Sequence, residues 1–191
     1  MPTRRTAKNH TQTPPHYAAL AYDGLCTFEF GIVVELFGLS RPELNSWYSF
    51  EVCGLERGPL RATGGVDILP RKRLNGSSEA DTIIVAGWRN PDERPPQRLI
   101  RALVAAHERG ARLVSICSGI FVMAATGLLN NKRATTHWRY IDEVRRRFPQ
   151  LSFRPMSRMS MKETFSPRRA VQRHRSVSAH RPEGLWNADC E

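Results

Sequence analysis

Short apolar runs alternate along this chain with longer stretches in which apolar residues recur every three or four positions. Tyr17 to Tyr22 (YAALAY) is a short apolar run closed by Asp23-Gly24, and predicts a buried strand followed by a turn. In Thr27 to Gly38 (TFEFGIVVELFG), Phe30, Val33, Val34 and Phe37 fall at helical spacing, which predicts a helix with Thr27 as N-cap and Gly38 as its stop. Tyr48 to Leu55 alternates as a strand does, Gly64-Gly65 marks a turn, and Thr82 to Ala86 (TIIVA) is β-branched enough for a central parallel strand. Pro95 to Arg109 predicts a helix with Leu99, Ala102, Leu103 and Ala106 on one face, ending at Gly110. Arg112 to Ile116 is the next strand, Phe121 to Leu129 a helix, and Trp138 to Phe148 a further helix with a stripe of Trp138, Ile141, Val144 and Phe148. Strands alternating with helices in this way predict an α/β fold with a doubly wound parallel sheet.

The 191 residues, 40% of them hydrophobic, suit one domain with a single core. A formal net charge of +11 points to an anionic partner only if it lies on a folded face, and here much of it lies in the flanks. Met1 to His16 is polar and basic and is expected to be a disordered tail; residues 17–153 form the domain, and 154–191 an Arg-rich tail. No apolar run approaches a membrane span and no signal-peptide core is present, so no membrane partner and a cytoplasmic location are expected.

Cys26, Cys53, Cys117 and Cys190 have neither CxxC spacing nor the density of a disulfide scaffold. His10, His16, His107, His174 and His180 show no metal-ligand spacing with them, and no Gly-rich phosphate loop is present, so neither a metal nor a cofactor is expected.

Chemistry concentrates in Leu113 to Ala125 (LVSICSGIFVMAA), where a β-branched strand runs through Cys-Ser-Gly into a helix. That is the pattern of a nucleophile elbow, with the thiol of Cys117 at the C-terminal edge of the sheet and a helix N-terminus expected to lower its pKa. An isolated cysteine is more often a buried structural residue; its place at the elbow favours the reactive alternative. His137, in a turn, is a candidate proton-transfer partner, although a lone histidine is more often structural. Glu29 and Glu35 are both candidate carboxylates in the first helix, and the pattern alone does not separate them. Gly87 is a candidate oxyanion donor through its backbone N–H, or an ordinary loop glycine. Arg145-Arg146-Arg147 falls on the polar side of a helix and is expected to be solvated.

Ile116-Cys117-Ser118-Gly119, Ala134 to Trp138 (ATTHW), Phe28-Glu29 and the strand ending in Gly87 together resemble the ThiJ/PfpI family, which is class I glutamine amidotransferase-like. More narrowly, Cys117 to Val122 (CSGIFV), Thr126 to Leu129 (TGLL) and Arg133 to Trp138 (RATTHW) resemble the amidase-like sensor domain of AraC-type transcriptional regulators of the GlxA and FtrA-like group. The resemblance implies a flavodoxin-like, three-layer sandwich, a nucleophile at Cys117, a nearby His137, an acidic contact at Glu29 rather than Glu35, and oxyanion or ligand contacts at Gly87 and Ser118. It also implies a small-molecule ligand, a homodimer, and promoter DNA bound through a C-terminal helix-turn-helix domain. Arg154 to Glu191 is too short for that domain.

The same tail has no period of 2 or 3.6. Codons compatible with Met156 to Arg173, read from the third base, permit Asp-Val-x-Tyr-Val-Asp-Glu-Gly-Asp-Val-Leu-Thr-Ser-Ala-Gly-Ser-Ala-Ala, a segment typical of the family's final strand and turn. From Arg173, reading from the second base permits an amphipathic helix. The expectation is a frameshifted tail and a domain lacking its last strand and helix, hence a truncated, non-functional regulator descendant. A genuine basic linker or nucleic-acid-binding tail is the plain alternative. The competing function is a Cys-dependent hydrolase, hydratase or glyoxalase-like enzyme, in which Cys117 attacks an electrophilic carbon and His137 or Glu29 moves the proton.

Overall fold

Strand β1 (His16–Ala21) turns through Asp23 and Gly24 into helix α1 (Thr27–Val33), which runs on into one π-helical turn, Val34–Gly38. This is a computed structural model, and it describes residues 14–44 and 47–153. Strand β2 (Ser49–Gly54) follows, then β3 (Leu60–Arg61), a 3-10 turn at Thr63–Gly65, β4 (Asp67–Ile68), β5 (Lys72–Arg73) and a 3-10 segment at Leu74–Glu79. Strand β6 (Thr82–Ala86), helix α2 (Gln97–Glu108) and strand β7 (Arg112–Ile116) come next. A 3-10 turn at Cys117–Gly119 leads into helix α3 (Ile120–Ala125), then β8 (Arg133–Ala134), a 3-10 turn at Trp138–Tyr140, helix α4 (Ile141–Arg147) and β9 (Ser152–Phe153).

The main sheet has the order β5-β2-β1-β6-β7, and all four of its pairings are parallel. Register places Tyr17 beside Phe50 and Thr82, and Ala86 beside Ile116, so the C-terminal ends of β1, β6 and β7 lie side by side. Every residue of β6 is buried, as its run of Thr, Ile, Ile, Val and Ala requires of a strand covered on both faces. Leu20, Ile83, Val85, Leu99, Leu103, Phe121 and Val144 belong to one core. This is the flavodoxin-like α/β arrangement expected from the sequence. Strand β7 pairs with β6 on one side and, among the described residues, with no strand on the other.

Several local expectations are corrected. Cys26, with extended backbone, is the N-cap of α1, because Thr27 turns its hydroxyl to Thr63, donating to the Thr63 carbonyl at 2.5 Å. The helix predicted over Phe121 to Leu129 stops after Ala125, where Thr126 folds its hydroxyl back onto the Met123 carbonyl and Gly127 takes φ +76°. Trp138 is no part of the apolar stripe of α4 but 71% exposed, since the chain enters that helix through a 3-10 turn. Arg147 is not simply solvated: its guanidinium lies over the Phe121 and Phe148 rings and donates to the Pro91 carbonyl. The proposed tail beyond Phe153, and most of the N-terminal one, lie outside the described residues; His16 already belongs to β1.

Candidate functional site

At the end of β7 the chain must reverse sharply to begin α3, and it does so at Cys117, which has φ +52°. A side chain in this left-handed region costs roughly 1–2 kcal/mol relative to ordinary backbone, so the surrounding contacts must hold it there. Gly119 is one reason they can: a Cβ there would meet the Val85 carbonyl oxygen at 2.4 Å and Ser115 Cβ at 3.2 Å. Only glycine lets α3 start this close to β6 and β7.

Backbone and side-chain bonds fasten the turn on two sides. Ser118 accepts from Trp88 N–H at 2.8 Å and donates to the Trp88 carbonyl at 3.1 Å, tying the elbow to the loop after β6. Tyr22, at the end of β1, donates its hydroxyl to the Gly87 carbonyl at 2.5 Å, and its ring meets Trp88 at 4.9 Å between centroids. On the other side, buried Thr136 donates to the Cys117 carbonyl at 2.9 Å. This sets the position of the next residue, His137, whose Nδ1 accepts from Arg139 N–H at 3.3 Å and caps the 3-10 turn.

The carboxylate of Glu29 reaches the same place from the first turn of α1. Burial pushes its pKa up, but the Cys26 thiol, its own backbone amide, the Cys117 thiol and the charge of His137 together hold it below the usual carboxylate range. Its Oε2 is sealed from solvent with no hydrogen-bond partner among the described residues. Glu35, the other candidate, is exposed on the π-helical turn.

Cys117 is half-buried, and its thiol is pushed up to about 11 by burial first and then by Glu29, against the opposing pull of the Ser118 amide. The helix N-terminus therefore does not yield the lowered pKa that the elbow pattern suggested. Helix α3 has only six residues, and the nearby anionic carboxylate opposes a second negative charge.

Gly87 has φ +92°, but its N–H donates at 3.1 Å to both Ile116 and Val85 carbonyls. That amide is internally engaged, as is the N–H of Trp88 on Ser118. Gly87 therefore shapes the turn rather than presenting a donor, and the Ser118 hydroxyl is a fastener. No bond joins His137 to Cys117 directly; its link to the site is its charge near Glu29. Among the described residues, no three His, Cys, Asp or Glu side chains are placed to hold a metal.

Sequence reasoning missed Tyr22, Cys26, Thr136 and Arg89. Arg89 joins three loops at this sheet edge, bonding Glu56 at 2.9 Å, Glu93 at 2.7 Å and the Asp23 carbonyl at 3.1 Å, with its guanidinium over Trp88. Only the doublet Trp88-Arg89 directly after the strand signalled it.

The sequence profile of the DJ-1/PfpI family matches residues 21–185. The chain is 29% identical over 143 residues to an uncharacterized protein in the cpoL 5′ region of Streptomyces lividans, covering 73% of this chain and 99% of that protein. It is 30% identical over 105 residues to the HTH-type transcriptional regulator CdhR of Pseudomonas aeruginosa, covering 55% of this chain but only 31% of the regulator. It is also 32% identical over 85 residues to isonitrile hydratase of Pseudomonas putida, covering 44% of this chain and 37% of the enzyme. The crystal structure of an AraC family transcriptional regulator from Pseudomonas putida shares the fold, with TM-score 0.64, 18% identity, and coverage of 75% of this chain and 78% of that one.

Proposed function

This chain belongs to the DJ-1/PfpI family, and from that premise we propose that residues 17–153 are a ligand-sensing domain of the AraC-type regulator kind, in which Cys117, Glu29 and His137 line the ligand site. The observation that carries the proposal is the protonation pattern: a thiol held up to about 11 beside a carboxylate held down. The thiol proton is held by the carboxylate, whose Oε2 has no partner among the described residues, and that anionic acceptor suits binding a polar small molecule. A nucleophile working near neutral pH needs the reverse. The engaged amides of Gly87 and Trp88 also leave no preformed oxyanion donor in the loop after β6.

The elbow geometry itself supports the enzyme alternative, as does similarity to a hydratase, and the two readings separate experimentally. Small amides, nitriles and aldehydes are added to the purified chain while melting temperature and turnover are followed together. The sensor reading expects a ligand that raises the melting temperature, lost in Glu29→Gln, without turnover. Turnover abolished by Cys117→Ser would establish the enzyme instead.

Two further parts of the proposal rest on other observations. Phe28, Leu36, Leu39 and Leu44 are exposed along α1 and the loop after it, which supports self-association of the homodimeric kind; sedentation of the chain as a monomer at all concentrations would refute it. No helix among the described residues is long and apolar enough to cross a membrane. For residues 154–191, the frameshift reading is supported by the recovered order of strand, turn and helix. The nucleotide sequence of the gene decides it: codons incompatible with the two shifted frames would rule it out.

A further inference from the structure

Arg89, in the loop that follows β6, has a side chain only 22% exposed and spends its guanidinium on four hydrogen bonds. Nε and Nη2 donate to the two carboxylate oxygens of Glu93, at 2.9 and 2.7 Å, a forked pairing that fixes the plane of the group. Nη1 donates to Glu56 at 2.9 Å and to the Asp23 carbonyl at 3.1 Å. Glu56 in turn accepts from the Asp23 N–H at 3.2 Å, so the turn after β1 is held at both its amide and its carbonyl.

These bonds lead toward both halves of the Cys117 site. On one side, the Glu93 carbonyl accepts the Trp88 indole N–H at 3.0 Å and the Arg89 guanidinium lies 5.1 Å from the Trp88 ring centroid, which closes the loop on itself. Trp88 is the residue whose backbone exchanges two hydrogen bonds with Ser118, next to Cys117. On the other side, the turn Asp23-Gly24 leads into α1, which carries Glu29 in its first turn. Gly24, at φ +78°, sits so close that a Cβ there would meet Arg89 Cβ at 3.2 Å, so this turn packs directly on the Arg89 stem.

We propose that Arg89 is the positioning residue of this site: by tying the turn after β1 to the loop after β6, it keeps the Glu29 carboxylate and the Cys117 thiol facing each other. It acts through Asp23 on one side and through Trp88 and Ser118 on the other. Geometry and charge make opposite demands here. A cation acting through its field alone would favour the thiolate, and its loss would push the Cys117 thiol further up. A lost fork instead frees the thiol from burial and from Glu29, the influences that hold it up, and lets it fall. Lysine keeps the charge but, as a point donor, cannot reproduce the planar fork. The inference holds whether the site binds or reacts.

The test is the pH dependence of iodoacetamide alkylation of the full chain, followed on the Cys117 peptide, in Arg89→Lys and Arg89→Gln. Both should move the bend in the profile down from near 11 toward the ordinary thiol value of 9, with roughly 10-fold faster alkylation at pH 8 for each unit of fall. Arg146→Lys, which alters an exposed ion pair with Glu143 on α4, should leave the bend in place. Glu93→Gln, which spares the bonds to Glu56 and Asp23, should give a smaller shift in the same direction, and it carries the test if the Arg89 variants fold poorly. An unchanged bend in an Arg89 variant with a lowered melting temperature would make Arg89 structural only. An upward shift in Arg89→Gln with a parental profile in Arg89→Lys would assign its effect to charge, and an equal shift in Arg146→Lys would mean that general loosening moves the bend. Any of these three results would overturn the proposal, as would an unmoved bend in Glu93→Gln where that variant carries the test.

Discussion

Thr136 Oγ1 donates to the carbonyl oxygen of Cys117 at 2.9 Å, so the loop carrying His137 is fastened to the strained residue itself. Nineteen positions separate the two in sequence, and one hydrogen bond makes them a unit.

Removing that bond leaves the part-buried Cys117 carbonyl with the Ile120 N–H as its donor. Thr136→Val, which keeps the shape, should cost about 0.5–1.5 kcal/mol in denaturant unfolding and loosen the placement of His137. An unchanged midpoint would show that the Thr136 hydroxyl does not fasten the turn.

Backbone strain at Cys117 makes a comparison of two small residues informative. Both Cys117→Ala and Cys117→Gly lose the thiol, but only glycine accepts φ +52° freely. The glycine variant should be the more stable by about 1 kcal/mol, the reverse of the usual order in regular structure. Thermal melts of the two variants decide the sign.

Gly119→Ala places a methyl group against the Val85 carbonyl, which is backbone of the central strand and has little room to move. A destabilisation of about 1–3 kcal/mol is expected. A wild-type melting temperature would mean that α3 can shift away from β6 without penalty.

Cys53 supplies a pH test. Burial, then the neighbouring Glu51, pushes its thiol up to about 12 from an ordinary value near 9. The folded state therefore keeps a proton that the unfolded chain releases. Stability from this group is complete below pH 9 and declines as the pH rises toward 12. Cys53→Ala should be less stable at pH 7 but should show a flatter decline above pH 9; equal slopes would remove Cys53 as the cause.

The main sheet was legible because its signals are local: the apolar run of β6 and that of β7 each match their strands residue for residue. The turn at Cys117 was legible for the same reason, since strand, small residues and helix are contiguous. What failed depended on distant partners. Thr27 looked like an N-cap until Thr63, far along the chain, took its hydroxyl. Trp138 fits a helical stripe by spacing, but the 3-10 turn rotates it outward. Gly87 suited an oxyanion donor until the Ile116 carbonyl, brought alongside by strand pairing, engaged its amide. The pKa of Cys117 was misjudged because Glu29 arrives from another element, and no spacing rule reports how close two charges come.

Glu29→Gln isolates that influence. Replacing the carboxylate removes the charge that favours the protonated thiol and leaves only a weaker, neutral amide oxygen as acceptor, while burial remains. The thiol pKa should fall, and each unit of fall gives ~10-fold more thiolate at pH 8, read as faster alkylation. Slower alkylation would mean that Glu29 carries a proton and stabilises the thiolate.

The central claim, that Cys117 rests as a protonated thiol and serves binding rather than attack, is tested most directly by the rate of its alkylation with iodoacetamide as a function of pH, followed on the Cys117 peptide. The account predicts a rate that keeps rising through pH 9 and bends near 11. A bend below pH 8 would contradict it and identify an activated nucleophile.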